Sequence, residues 1–293
     1  MKPTEFPDLT GPVQLLDVRL SDDYEAAHLA GAANNCVFEV AFAERLSKTA
    51  PDPAALTVVY GAHGGSREAE MAAEKLRRAG FRDVRILEGG IEAASAAGLA
   101  VESGDPVPPE PPPLDGAHPI DLAESRFEWL GRNLLNKHWG SAKFSGGQLT
   151  FDQGTLAGGD FTIDLRTLDC ADLDGSPLHD VLVAHLHSDD FFDVENHPEA
   201  SFTIRGATPV AGAAPGSPNV SIRGDLTIRG QTHPVEFAAA TGRTESGHAA
   251  AQAAFSIDRT RWGILYGSGK FFHRLAGHLV NDLIEIQVRI VTR

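Results

Sequence analysis

The stretch HLHSDDFFDVENHPEASFTI, residues 185–204, changes character at its proline. Its first part is a compact polar and aromatic segment that closes on Phe191-Phe192, and His197-Pro198 ends any helix there, because the residue before a proline is pushed out of the α region. Beyond the proline, Ser201, Phe202, Thr203 and Ile204 alternate polar and apolar, as a strand with one wet and one dry face must. A knob of aromatics thus feeds a strand, and everything beyond residue 118 is organised around it.

The period of two continues on both sides. Phe127/Trp129, Leu149/Phe151, Phe161/Ile163/Leu165, Val220/Ile222, Leu226/Ile228, Val235/Phe237 and Ile284/Ile286/Val288/Ile290 alternate with polar or small neighbours. Glycines at 146-147, 158-159, 224, 230, 242 and 247 punctuate these runs. About eight short strands with regular turn signals predict an antiparallel sandwich or barrel. The interior of an eight-stranded barrel is just wide enough for its own side chains or for one ligand. Periodicity does not choose between the filled and the open form.

Trp129-Leu130-Gly131, His138-Trp139-Gly140, Gly159–Asp164, His185–Phe192, Gly224–Gly230, Asp258-Arg259-Thr260, Tyr266–Gly269 and Asn281-Asp282 fall in an order that resembles the YceI-like proteins over about 120–293. The resemblance implies an all-β, antiparallel, lipocalin-like eight-stranded barrel. Its apolar interior would take a hydrophobic or lipid ligand, an isoprenoid quinone, a prenyl phosphate or another long-chain lipid, with no other cofactor. Candidates for its lining and mouth are Trp129, Phe161, Phe191, Phe192, Trp262, Tyr266, Phe271 and Phe272, each of which also suits ordinary core packing. Arg259 to Gly277 is too irregular for a strand and too aromatic for a solvated loop, so a flap over a barrel opening is expected. Asp258-Arg259 reads as a salt bridge or turn fixing that flap, or as a contact to a ligand head group. His179, His185, His187 and His197 lack the spacing of a metal site, and no metal is expected. Cys170 is expected to be a small buried residue, and homodimerisation is a family-level expectation.

Residues 1–104 have another rhythm. Val13–Val18, Leu56–Tyr60 and Val84–Leu87 read as buried strands, and Asp23–Leu29 and Arg67–Ala79 as amphipathic or helical segments. Gly80 stands where a helix needs its C′ residue. Strand and helix in alternation predict an α/β parallel sheet. LLDVR, Glu25–Ala32, VVY, Gly80-Phe81 and Leu87–Gly90 together resemble a rhodanese-like domain over nearly all of 11–101. In that family a cysteine opens the loop after VVY, where backbone N–H groups and a helix N-terminus lower its pKa, and the thiolate carries sulfur. Here that position is Gly61, which implies an inactive sulfurtransferase serving for docking or dimer contact. Ser66 has no evident activating base, although His63 is close. The loop Gly61, Ala62, His63, Gly64, Gly65, Ser66 still offers N–H groups with Arg67 adjacent, so it is read as structural or as an anion site. Cys36 lies outside it and reads as a small buried residue.

Asp105–Pro113 is polyproline-like, and 105–118 is expected to be a semi-rigid linker between domains at 1–104 and 119–293. The formal net charge is −15, with 10 basic and 16 acidic residues in 1–104 and 15 and 21 in 119–293. Neither half attracts nucleic acid or an anionic membrane surface. Two cysteines in different domains make no disulfide framework. No apolar run long enough for an integral membrane segment occurs and the N-terminus lacks an apolar signal region, so the expected location is cytoplasmic, unlike many exported YceI-like barrels. No nucleophile elbow, P-loop or dinucleotide fingerprint is present, and no catalytic residue is assigned. The leading function is a non-enzymatic carrier of an isoprenoid-like amphiphile, its first domain docking an unknown protein partner. The alternatives are a sulfur- or redox-linked enzyme, and a scaffold whose barrel is filled by its own side chains.

Overall fold

The run LTVVY at 56–60 is buried on both faces, as a central parallel strand must be. The computed structural model describes residues 1–104, 111–244 and 246–293. The chain divides into two units, Met1–Glu110 and Pro111–Arg293.

In the first unit, strands β1 (Val13–Asp17), β3 (Ala33–Asn34), β4 (Leu56–Tyr60) and β5 (Val84–Ile86) form a parallel sheet in the order β3-β1-β4-β5. A small antiparallel pair joins β2 (His28–Leu29) to β6 (Val101–Glu102). Helices α1 (Ser21–Ala26), α2 (Phe42–Thr49), α3 (Glu68–Arg78) and α4 (Gly90–Ala96) connect the strands. Alternate residues of β1 and β4 face opposite ways. Leu16 and Val59 pack with Phe42, Leu46, Ala72 and Leu76 of α2 and α3, whereas Leu15, Val58 and Tyr60 pack with Leu87 and Ala94. The expected helix over 67–79 is α3, and Gly80 follows its cap at φ +95°. Helix α2 was not anticipated. The DVR word is a buried ion pair: Arg19 Nη2 meets Asp17 Oδ2 at 2.6 Å and also donates to the Ala27 carbonyl.

In the second unit, β8 (Arg126–Arg132), β9 (Lys137–Asp152), β10 (Thr155–Cys170), β11 (Glu199–Pro209), β12 (Val220–Ile228), β13 (Gln231–Arg243), β14 (Ala249–Asp258) and β15 (Leu283–Val291) pair antiparallel in sequence. Pairing of β15 with β8 and of β9 with β10 closes them into an eight-stranded barrel. The linker expected over 105–118 ends earlier. β7 (Gly116–Pro119) pairs with β9, and Gly154 donates its amide to the Leu114 carbonyl. Past Pro113 the chain regains the N–H groups a ladder needs. The Asp105–Glu110 part of that linker lies outside the described residues.

Helix α5 (His179–His187) and the turn Ser188–His197 join β10 to β11, which starts directly after Pro198. Phe202 packs over Gly224 of the neighbouring strand, where any Cβ would collide with its ring. That glycine lets the phenyl lie inside the barrel instead of tilting out.

Candidate functional site

Inward-facing residues of the eight strands leave three consecutive spaces along the barrel. A deep chamber of about 70 Å³ is walled by Phe127, Phe144, Phe161, Phe202, Phe237 and Phe255 with aliphatic neighbours, and Gln252 is its only polar contributor. A middle chamber of about 60 Å³ shares Phe127, Ile163, Leu226 and Ile286 with it. An outer chamber of about 240 Å³ shares Trp129, Phe192, Ile264 and Ile284 with the middle one. Apolar voids of this kind stay dry and accept apolar guests. Only the outer chamber exposes polar surface, from residues that include Arg132, Asn133, His138, His185, Tyr266 and His278. Gln252 and Arg259 line the deep and middle chambers without exposing polar atoms to them.

An aromatic trio stands at this mouth. His185 packs edge-on against Phe191 at 4.9 Å and Tyr266 at 4.6 Å, and Phe191 meets Tyr266 at 5.4 Å. Three of the basic side chains there are already paired. Arg132 meets Glu285 at 2.8 Å, His138 meets Asp172 at 2.9 Å, and His185 meets Asp190 at 3.1 Å.

The flap is latched by Arg259, which is 1% exposed. Its Nε donates to the Asn281 carbonyl at 3.0 Å, Nη1 to Ile264 at 2.7 Å and Nη2 to Val280 at 3.0 Å. Burial lowers its pKa, against the pull of Asp282 and Asp258. Of its two sequence readings, this geometry matches the turn that fixes the flap, since all three nitrogens are engaged by main chain. Next to it, burial alone would raise the Asp258 pKa, but hydrogen bonds from Lys270 and Thr260 hold it below the usual carboxylate range.

The sequence candidates separate into groups. Phe161 lines the deep chamber, Trp129 and Phe192 the boundary between middle and outer chambers, and Phe191 and Tyr266 the outer one. Trp262 is wholly buried and donates Nε1–H to the Leu226 carbonyl at 3.0 Å, outside all three spaces. Phe271 and Phe272 are 52% and 46% exposed and line none of the three chambers, although Phe272 borders an open pocket that shares Tyr266 and His278 with the outer one. The Phe271 and Phe272 amides both close on the Ser268 carbonyl, and that turn carries the rings to the outer surface. Phe127, Phe144, Phe202, Phe237, Phe255 and the mouth residues Arg132, His138 and His278 were not singled out. For Phe127, Phe202 and Phe237 the signal was present, since each sits on the apolar phase of its strand.

His179 pairs with Asp169 and Asp180, and His187 Nε2 is buried without a partner. The histidines weighed as metal ligands therefore diverge. Among the described residues His138, Cys170 and Asp172 do come together. Asp172 closes that group, accepting from the Trp139 amide, His138 and the Cys170 thiol. Burial, with Asp172 adding to it, pushes the Cys170 thiol up to about 12.

In the first unit the loop 61–67 turns its donors inward. Gly65 N–H donates to His63 Nδ1 at 3.0 Å and Ser66 N–H to the His63 carbonyl at 3.1 Å. Amides at the start of α4 are taken by the Gly61 and Ala62 carbonyls. Glu68 fills the remaining space, its Oε2 buried and unpartnered. Arg67 points away, paired with Glu70. Of the two sequence readings of this loop, structural or anion-binding, a buried acidic side chain beside Gly61 weighs against the second.

The YceI-like domain model matches residues 119–292. This chain belongs to the YceI-like family. The segment ahead of the YceI-like barrel matches the rhodanese-like domain model over residues 3–97. Solved structures similar to the chain include Burkholderia cenocepacia BcnA, at 21% identity over 59% of this chain and 99% of that one, TM-score 0.46. A polyisoprenoid binding domain from Saccharophagus degradans is 13% identical over 60% and 98%, TM-score 0.43. A rhodanese-like domain from Anabaena sp. is 31% identical over 32% and 95%, TM-score 0.29. No curated protein matches the chain. No described helix of this YceI-like protein is long and apolar enough to cross a membrane.

Proposed function

We propose that the barrel is a non-catalytic carrier of an isoprenoid-like amphiphile, a quinone or polyprenyl lipid, and that the rhodanese-like unit is an inactive docking module. The observation that carries this is the series of adjoining apolar chambers, each sharing walls with the next, that ends at a partly polar mouth. Such an arrangement suits a ligand with a hydrocarbon tail and a small polar head. Binding by burial needs no reacting group, and each methylene taken from water contributes about 0.8 kcal/mol. For the first unit, Gly61 supplies no nucleophile at the position where the resembling family carries cysteine, and a buried oxygen of Glu68 lies beside it.

The test is a titration of purified protein with farnesol, geranylgeraniol and decylubiquinone, followed by tryptophan fluorescence. The carrier reading expects saturable one-to-one binding, with affinity rising from farnesol to geranylgeraniol. Absence of saturable binding to all three supports a barrel that serves only as scaffold, and overturns the carrier.

A further inference from the structure

Strands β13 and β14 share a ladder along only part of their length. Pairing runs from Ala239 opposite Ala253 to Arg243 opposite Ala249 and stops there, although β13 begins at Gln231 and β14 continues to Asp258. Each strand stays paired on its other side, β13 with β12 and β14 with β15. The barrel wall therefore has a seam between Val235–Ala238 and Ala254–Ile257. Continuing the register sets Phe237 opposite Phe255, and their rings stack across the seam at 4.0 Å, 3° from parallel.

The seam is bounded at its other end by Arg261, whose Nη2 donates to the Pro234 carbonyl at 3.0 Å. The amide and carbonyl of one strand residue point to the same side. The missing N–H of Pro234 therefore also falls on the seam, and proline inside a strand is tolerated where one edge goes unpaired. Of the outward side chains, Ala238, Ala254 and Ser256 are small and exposed, and Glu236 reaches Ser221 and Arg223 on β12, away from the seam. Directly behind it lies the deep chamber, walled by Val235, Phe237, Ala253 and Phe255. Where barrel strands are paired, parting them means breaking a row of backbone hydrogen bonds; β10 and β11 also pair over only part of their length, Gly159–Asp164 with Glu199–Ile204. Between β13 and β14 the obstacle is one ring stack.

We infer that this seam is a lateral portal, through which the apolar chain of a lipid enters the deep chamber between β13 and β14 when Phe237 and Phe255 part. The inference rests on the carrier reading of the barrel and adds the route. It assigns Phe237 and Phe255 as the residues the chain must displace, and it makes the polar mouth the place where the head group stays.

The portal is tested by joining the seam. Ala238→Cys and Ala254→Cys, outward-facing and opposite in register, are bridged with a short bis-maleimide in the full-length protein, and the bridge is verified by mass. Decylubiquinone uptake is then followed by stopped-flow tryptophan quenching, with equilibrium affinity measured alongside. The bridged protein is expected to load at least about tenfold more slowly while its affinity stays within about twofold, a change in rate without a change in end state. Equal loading rates in bridged and unbridged protein overturn the portal and leave the carrier intact. Absence of saturable binding in both overturns the carrier reading and the portal with it. A second, ligand-free measurement is amide hydrogen exchange. The amides of Glu236, Ala238, Ala254 and Ser256 are expected to exchange at least about tenfold faster than those of Ala240 and Gln252. Equal protection overturns the seam itself.

Discussion

The buried Oε2 of Glu68 stands over Gly61, so that a Cβ placed on the glycine would lie 2.8 Å from it. A cysteine restored there meets the movable end of the Glu68 side chain, which can swing aside, but its thiolate would form beside an acidic group, and a neighbouring like charge disfavours ionisation. The unaltered protein and Gly61→Cys are both expected to release no thiocyanate from thiosulfate and cyanide above buffer. Measurable turnover is expected only when Gly61→Cys is combined with Glu68→Ala. Clear thiosulfate-dependent turnover by the unaltered protein contradicts the docking role.

Arg259 holds the flap through three main-chain carbonyls. Arg259→Met leaves the buried Ile264 carbonyl and the half-buried Asn281 and Val280 carbonyls without this donor, at about 1–3 kcal/mol for each buried group left unsatisfied. Urea unfolding of the variant is expected to show a loss of at least about 3 kcal/mol, and Arg259→Lys a smaller loss. A variant as stable as the parent removes the latch.

Asp258 ties the same segment to Lys270, at 2.6 Å. Its pKa is lowered in the folded state, because the Lys270 and Thr260 hydrogen bonds outweigh burial. Its contribution is therefore fully present above the ordinary aspartate value of about 3.9 and is lost as pH falls through the lowered folded value. Thermal unfolding between pH 6 and pH 3 is expected to fall less steeply in Asp258→Asn than in the parent. Identical acid limbs would show that Asp258 does not link the flap to pH.

Both cysteines are buried, and the Cys170 thiol is pushed up to about 12, chiefly by desolvation. The thiolate is the reactive form. At pH 8 the folded protein is expected to react with a disulfide reagent at neither thiol within minutes, and to titrate both thiols in denaturant. Fast reaction of one thiol in the folded state would place it in an open environment.

Much of the fold could be read from residue order. The period of two located seven of the eight barrel strands, splitting β12 at Gly224 and missing the alanine-rich β14, and the apolar phase at Phe127, Phe202 and Phe237 named the faces that line the interior. Helix α2 escaped notice because its apolar contact is carried mainly by Phe42 and Leu46, too few positions for a period to show. Aromatic content marked the flap correctly but said nothing of direction, and the turn on Ser268 sends Phe271 and Phe272 outward. The chambers themselves depend on pairs far apart in the chain. Phe237 finds Phe255, Arg259 finds Val280 and Asn281, and Glu68 folds back over Gly61; none of these leaves a local pattern. Pro234 carries a local signal of the seam that the strand reading of Val235/Phe237 passes over, since a proline within an otherwise regular strand points to an unpaired edge.

The most direct measurement is native mass spectrometry of freshly purified protein, paired with organic extraction of the same sample. A barrel that carries an isoprenoid-like amphiphile is expected to show an adduct of one lipid per chain, recovered in the extract as a prenyl-tailed molecule. A chain at its bare sequence mass, with an empty extract and no shift in unfolding temperature on adding decylubiquinone or geranylgeraniol, would contradict it.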